Sequence, residues 1–262
     1  MYKVIDIEKW SRKKQYLWFS TFSNPDYGFN IDVDVTNIVN YSKETKTSFF
    51  INFLFIVMNA LNNVEELRLR IVNNEIRLYD DINPTYTVLT KTNNFENCRS
   101  NMIYNYQEFY KINKQVIENA KNEEYVSEGY NNEDYNVYYI TCVPWLEYNS
   151  MIHPLPNNNV ESLSVPRICW SKYKLINNRY ILSFNLTVSH ALVDGFPCSK
   201  ALNNIKDYLE ELDSAKLKSD AIVIGNKIKK EVNKLAGKVK EVSEPVVNKA
   251  IEDLRSNTVV LL

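Results

Sequence analysis

Glycine is scarce in this chain, with only 5 among 262 residues. Neither GxGxxG nor GxxxxGK occurs, so the sequence lacks the glycine-rich loops that hold the phosphates of dinucleotides and nucleoside triphosphates. This absence argues against nucleotide hydrolysis and against dinucleotide-dependent redox chemistry in their usual forms.

Cysteine and histidine are also few, with 4 and 2 copies. The cysteines form no CxxC pair, and zinc sites need clustered cysteine and histidine ligands, so we expect no metal. The wide cysteine spacing favours free thiols and a cytoplasmic location. If the chemistry needs an imidazole base near neutral pH, only His153 and His190 can supply it.

The chain also lacks a charge excess and a long apolar run. Its formal net charge is -1, which gives no reason to expect nucleic-acid or anionic-membrane partners. The most apolar run, residues 49–61, contains Asn52 and Asn59 and is shorter than the roughly 20 residues that span a bilayer. The opening MYKVIDIEKW alternates charged and apolar residues, so we expect no signal peptide.

The patterns that are present predict both strands and helices. Ser48 is a candidate N-cap for a helix over 49–61, and a second helix is predicted over 102–120. Strands are predicted over 32–35, 69–71, 76–78, 86–90, 137–143, 167–173 and 180–190, with Asn73-Asn74 as a hairpin turn. These elements favour an α/β fold, a two-layer sandwich of one large mixed sheet flanked by helices.

The composition changes near Asp213. We therefore predict one domain over 1–213 and an amphipathic helical extension over 214–262. Apolar residues there follow a 3,4,3,4 spacing among lysines, at Val232, Leu235, Val239, Val242 and Val246. Such a helix packs on its own domain, braces a neighbouring subunit or binds a partner.

The segment 180–190 carries the strongest chemical signal. Strand alternation places Tyr180, Leu182, Phe184, Leu186, Val188 and His190 on one face, with His190 at the end of this row. The Asp194-Gly195 turn follows, and Pro197 is predicted at the first position of a further helix. A half-buried histidine in this place suits a general base, although the local pattern alone favours a core histidine bonded to a backbone carbonyl.

Several motifs extend this signal along the chain. In order they are Trp10 and Arg12, Pro84-Thr-Tyr-Thr-Val88, Pro144-Trp145, Lys172-Tyr173, and Ser189-His-Ala-Leu-Val-Asp-Gly195. From about residue 4 to residue 212 they resemble the chloramphenicol acetyltransferase family, whose signature is HHxxxDG. The resemblance implies a homotrimer with active sites between subunits, which transfers an acetyl group directly from acetyl-CoA to a small hydroxylated acceptor such as chloramphenicol.

The resemblance also implies roles for individual residues. His190 would be the catalytic base, Ser150 the oxyanion donor, and Arg12 with Asp194 a structural ion pair that supports the site. The remaining positions are acceptor-binding Phe19, Tyr27 and Thr87, and coenzyme A-binding Lys172 and Tyr173. His153, in a loop, is interpreted as a solvated or locally bonded histidine, and Cys198, early in a helix, as a structural thiol.

The sequence departs from the family pattern around the acceptor pocket, at Phe19, Glu147, Cys169 and Ser189. Acyl transfer is therefore the firmer expectation and chloramphenicol the weaker one. Two alternatives stay open: the catalytic core of a dihydrolipoyl acyltransferase, which we expect less because no lipoyl domain precedes the fold, and a non-catalytic scaffold.

Overall fold

A computed structural model describes residues 1–122, 135–157 and 159–212 of the chain. Its strands are β1 (Tyr2–Val4), β2 (Asp26–Asp34), β3 (Leu69–Val72), β4 (Glu75–Tyr79), β5 (Asn83–Leu89), β6 (Phe95–Arg99), β7 (Val137–Val143), β8 (Arg167–Ser171), β9 (Lys174–Ile176) and β10 (Arg179–Ser189). Its α-helices are α1 (Lys13–Phe19), α2 (Thr36–Thr45), α3 (Phe49–Asn62), α4 (Tyr106–Lys121), α5 (Val160–Leu163) and α6 (Gly195–Glu210). The predicted extension over 214–262 lies outside the described residues.

The main sheet is mixed, with the order β2-β10-β8-β7-β5-β6 and β9 paired to β10. β5, β7 and β8 run parallel, whereas β2 and β8 pair antiparallel with β10. A smaller sheet has the order β1-β4-β3. β10 is therefore flanked on both sides and carries His190 just beyond its last residue.

Helices cover one face of the main sheet and make the core there. Phe53 of α3 packs edge-on against Trp170 and Phe184, and all three side chains are fully buried. α3 in turn contacts α2, α4 and α6. This arrangement confirms the predicted two-layer α/β sandwich. No helix in the described part of the chain is long and apolar enough to cross a membrane.

The opposite face is polar and is contacted by the loop after β7. Along β10 this face carries Ser183, Asn185 and Ser189, all buried. Met151 donates its backbone N–H to Asn30 (3.3 Å), and the Tyr148 hydroxyl lies 2.9 Å from the Cys169 sulfur. The polar face of β10 is thus covered by this loop.

Several of the predicted element boundaries need correction, among them the start of β2, which is Asp26 and not the predicted Asp32. Helix α4 begins at Tyr106, four residues after the predicted start, because Asn105 caps it through the Glu108 N–H. Helix α6 begins at Gly195, so Pro197 is its third residue and the prediction of a first position was wrong. Asp194 occupies the N-cap position but makes no capping bond, since its carboxylate is turned toward Arg12.

Candidate active site

The His190 side chain lies at the end of β10 between two aromatic rings. The ring of Phe19 stacks on the imidazole at 3.8 Å between centroids, and that of Tyr27 stacks at 4.4 Å. Two rings this close cannot share one face, so the imidazole is held between them. The side chain remains 31% exposed, which leaves one edge of the ring open to a substrate.

The two nitrogens of this ring differ in environment. Nδ1 is buried and lies 3.3 Å from the Oδ1 atom of Asp194, without the alignment of a hydrogen bond. Nε2 is therefore the nitrogen at the open edge. A general base needs this separation, with one nitrogen held inside and the other presented to the proton that it removes.

Arg12 and Asp194 brace the turn that follows His190. The guanidinium forms an ion pair with the Asp194 carboxylate, in which one Nη2–Oδ1 contact measures 3.2 Å. Nη2 also lies 3.5 Å from the backbone oxygen of His190. The Arg12 side chain is only 14% exposed, so Asp194 balances a largely buried charge.

Tyr27 connects the stacked ring to α6. Its hydroxyl donates to the backbone oxygen of Val193 (3.2 Å) and lies 3.7 Å from the Cys198 sulfur. Burial is the main cause of the raised pKa of Tyr27, and it also raises the pKa of Cys198 to about 11. Cys198 is thus a protonated, buried thiol, which agrees with a structural part for this residue.

A first cavity, of about 690 Å³, opens where β5, β7 and β8 end, and we call it the apolar cavity. Its walls include Phe49, Phe50, Val88, Leu89, Ile117, Pro144 and Trp145, together with Thr87, Lys121, Lys172 and Tyr173. The two residues predicted to bind coenzyme A, Lys172 and Tyr173, thus share one cavity.

A second cavity, of about 470 Å³, lies on the polar face of the sheet, and we call it the polar cavity. It is lined by Thr85, Thr87, Asn97, Tyr139, Thr141, Met151, His153, Ser162 and Arg167, among others. Thr87 of β5 lines both cavities.

The predicted site residues fall into separate groups within one chain. His190 lies with Phe19, Tyr27 and Asp194, whereas Thr87 lies at the cavities, and His190 lines neither cavity. Ser150 is exposed on the loop after β7, next to a residue of the polar cavity, Met151. No described contact joins Ser150 to His190, so its catalytic role stays a prediction.

Glu147, one of the departures from the family pattern, lies beside Lys172. Its Oε1 atom lies 3.9 Å from the Nζ atom of Lys172, both side chains are about half exposed, and Glu147 lines neither cavity. It instead lies beside a residue predicted to bind coenzyme A.

Sequence reasoning missed a buried ion pair on the polar face. Asp26 and Arg167 approach to 3.6 Å with side chains 1% and 6% exposed. Burial raises the pKa of Asp26 to about 6, opposed by the positive charge of Arg167. Both residues sit within strand-forming stretches, and an arginine inside an apolar run was the one available signal. Among the described residues, no group of three metal-ligating side chains occurs.

Comparison with known proteins decides the family. A family model described as chloramphenicol acetyltransferase matches residues 1–206. The chain belongs to the chloramphenicol acetyltransferase family.

Curated relatives extend over most of the chain. Chloramphenicol acetyltransferases from Escherichia coli and Bacillus pumilus are 24% and 26% identical over 212 and 218 residues. These alignments cover 80% and 81% of this chain, and 94% and 96% of the relatives. The chain is therefore an acyltransferase.

Solved structures support the same fold. A chloramphenicol acetyltransferase aligns with a TM-score of 0.73 at 24% identity, covering 80% of this chain and all of the other (100%). A probable dihydrolipoamide acetyltransferase from Listeria monocytogenes aligns with a TM-score of 0.54 at 14% identity, over 80% and 94% of the two chains. At these identities the two structures are evidence for the fold alone, which the chloramphenicol acetyltransferase and the dihydrolipoamide acetyltransferase share.

Proposed function

We propose that this protein is an acetyl-CoA-dependent O-acetyltransferase that acts on chloramphenicol or a similar small hydroxylated compound. The observation that carries the proposal is His190, placed by the family signature at the end of β10, with Nδ1 buried and the opposite edge of its ring open. The four free cysteines agree with the expected cytoplasmic location.

Acetyl-CoA fits the apolar cavity as a substrate. The aromatic and aliphatic walls suit the pantetheine arm, whereas Lys121 and Lys172 line the same cavity and can meet phosphate groups. The exposed Glu147 beside Lys172 screens part of that charge. On this proposal, acceptor and acetyl-CoA approach each other on the two sides of Thr87.

The proposed reaction is a direct transfer. The acceptor hydroxyl gives its proton to His190 Nε2 while its oxygen attacks the thioester carbonyl, forming a tetrahedral intermediate. The Ser150 hydroxyl donates a hydrogen bond to the developing oxyanion, a contribution on the order of 3 kcal/mol. Collapse of the intermediate breaks the carbon–sulfur bond, and the departing thiolate takes the proton from His190.

The roles of Phe19, Tyr27, Arg12 and Asp194 are to hold the base. Phe19 and Tyr27 fix the plane of the imidazole by stacking, and Tyr27 also bonds to the turn after His190. Arg12 and Asp194 hold the backbone of that turn. The contact of both rings with His190 supports the proposed acceptor-binding role of Phe19 and Tyr27.

We also propose that the enzyme is a homotrimer with active sites between subunits. Within one chain, His190 lines neither cavity, so a base and a pocket from different subunits would complete one site. Exposed apolar side chains near the base, Trp18 (61%) and Phe22 (46%), are suited to contact a neighbouring subunit.

The test is thiol release from acetyl-CoA in the presence of chloramphenicol. His190→Ala is expected to lower kcat by about a hundred- to ten-thousandfold, the usual contribution of a positioned base. Lys200→Ala, on the exposed face of α6, serves as the matched control and should retain full activity. Acceptor-dependent release that persists in a folded His190→Ala protein would sink the mechanism.

A further inference from the structure

The polar cavity contains a buried hydroxyl that the described chain does not satisfy. Thr85 lines the cavity from β5, is 3% exposed, and its Oγ1 atom has no hydrogen-bond partner among the described residues. Buried polar side chains are nearly always hydrogen-bonded, so an orphaned hydroxyl in a cavity wall needs a partner from outside.

The hydrogen bonds around His153 determine which of its ring nitrogens donates and which accepts. Asn185 donates through Nδ2 to Asn30 Oδ1 (3.0 Å) and to the backbone oxygen of Met151 (3.4 Å), so its Oδ1 atom faces His153. His153 Nε2 lies 2.9 Å from that oxygen and must therefore be the donor. In the neutral ring, Nδ1 is then a hydrogen-bond acceptor.

The neutral form of His153 agrees with its surroundings. Burial lowers the pKa of His153, the bond to Asn185 opposes this effect, and the positive charge of Arg167 lowers the pKa further. At neutral pH the ring offers an acceptor atom and no positive charge. The loop histidine is thus a part of the cavity wall, on the same face of the sheet as Thr85.

Arg167 also lines the cavity, but its charge is already matched. Nη1 donates to the Val165 backbone oxygen (3.1 Å) and lies 3.6 Å from Asp26 Oδ2. Nη2 donates to the Ser162 backbone oxygen (3.1 Å). With its terminal nitrogens committed and a carboxylate beside it, the guanidinium gives little reason for an anionic ligand.

We propose that the polar cavity is the acceptor site and that it binds a neutral compound rich in hydroxyl groups, of the polyol or sugar class, through Thr85 and His153. This inference rests on the proposed function, in which Thr87 lines both this cavity and the one assigned to acetyl-CoA. A ligand hydroxyl can donate to His153 Nδ1, and a hydroxyl can likewise pair with Thr85 Oγ1, so a compound with several hydroxyl groups can satisfy each atom. An apolar ring would leave both unpaired at a cost in affinity.

Binding is measured first, by saturation-transfer NMR titrations of the full chain without acetyl-CoA. The neutral probes are methyl β-D-glucopyranoside, myo-inositol and sorbitol, compared with chloramphenicol and with methyl β-D-glucuronide as the anionic counterpart. At least one neutral probe should bind more tightly than chloramphenicol and the glucuronide. Its Kd should rise about tenfold in Thr85→Val and in His153→Phe, while Thr85→Ser, which keeps the hydroxyl, stays within about twofold.

Three results would overturn the inference. Chloramphenicol could bind more tightly than every neutral probe, the glucuronide could bind most tightly, or Thr85→Val and Thr85→Ser could give equal losses. Thiol release in the presence of each compound separates this inference from the proposed function. A neutral probe that binds through Thr85 without any release contradicts the transferase reaction alone, and release with chloramphenicol but no binding of a neutral probe contradicts the ligand class alone.

Discussion

The carboxylate of Asp194 has two neighbours of different kinds. It is paired with the guanidinium of Arg12, and its Oδ1 atom is also 3.3 Å from His190 Nδ1. The ion pair has hydrogen-bonding geometry, whereas the contact with the imidazole does not. We therefore expect Asp194 to act on the base through the position of the turn, and to contribute to stability as well.

Asp194→Ala tests this position. Arg12 would keep a largely buried charge without its anion, so the free energy of unfolding should fall by about 2 kcal/mol and activity should fall with it. Asp194→Asn keeps an acceptor for Arg12 and should lose less of both. Urea denaturation followed by tryptophan fluorescence measures the difference, and an alanine variant as stable as the parent would contradict the account.

Asp26 predicts a pH dependence of stability. Burial raises its pKa from 3.8 to about 6 in the folded protein, in spite of the charge of Arg167. The folded state holds this proton more tightly than the unfolded state does. The contribution of Asp26 to the free energy of unfolding is therefore fully present below pH 3.8 and is lost as pH rises through about 6.

The free energy of unfolding of the parent, relative to that of Asp26→Asn, should therefore fall between about pH 4 and pH 6.5. The subtraction removes titrations that the two proteins share. Chemical denaturation at four pH values checks the sign. A difference that is flat over this window would show that Asp26 has an ordinary pKa, and one that rises would show a lowered pKa; either would contradict the prediction.

At the scale of the elements, the sequence predicted the helices and strands whose bounds depend on the apolar pattern of a single segment. β10 and α3 were predicted within one residue at each end, because each carries a continuous apolar pattern with clear boundaries. Helix α1 was missed since it has no buried residue and no apolar period of its own. The Asp26–Arg167 pair was missed because it depends on the register of β2 and β8 on either side of β10.

The N-cap of α3 was predicted from the sequence and is present. The Ser48 side chain accepts a hydrogen bond from the Ile51 N–H. Ser48→Ala should lower the free energy of unfolding by about 1 kcal/mol, while Ser48→Thr, which keeps a capping hydroxyl, should lose only a fraction of this. Thermal and urea unfolding provide the comparison, and equal losses in the two variants would point to packing instead of capping.

At the scale of the whole molecule, His190 lines neither cavity. This raises the question whether the base and the pocket of one active site come from different subunits. The family signature and the candidate base within it could be predicted from the sequence, but the pocket that this histidine would serve depends on contacts between chains. Sequence motifs give the positions of residues along one chain, but they do not show which subunit of an oligomer supplies each residue of an active site.

Mixing two inactive variants tests the arrangement. His190→Ala removes the base, and Thr87→Trp fills the junction of the two cavities. If each site takes its base from one subunit and its pocket from the next, co-refolded equal amounts should regain about a quarter of the parental activity. Light scattering should report a trimer for each protein, and no regained activity would assign base and pocket to the same chain.

Thr87, which lines both cavities, has a consequence for the route that the acetyl group takes. On the proposed assignment, donor and acceptor can occupy the protein together in a ternary complex, with Thr87 lining the compartment of each. The acetyl group then needs no temporary carrier on the protein, and Cys198, protonated and buried, is not required as one. Such an enzyme retains its acetyl-CoA intact until a suitable hydroxyl arrives.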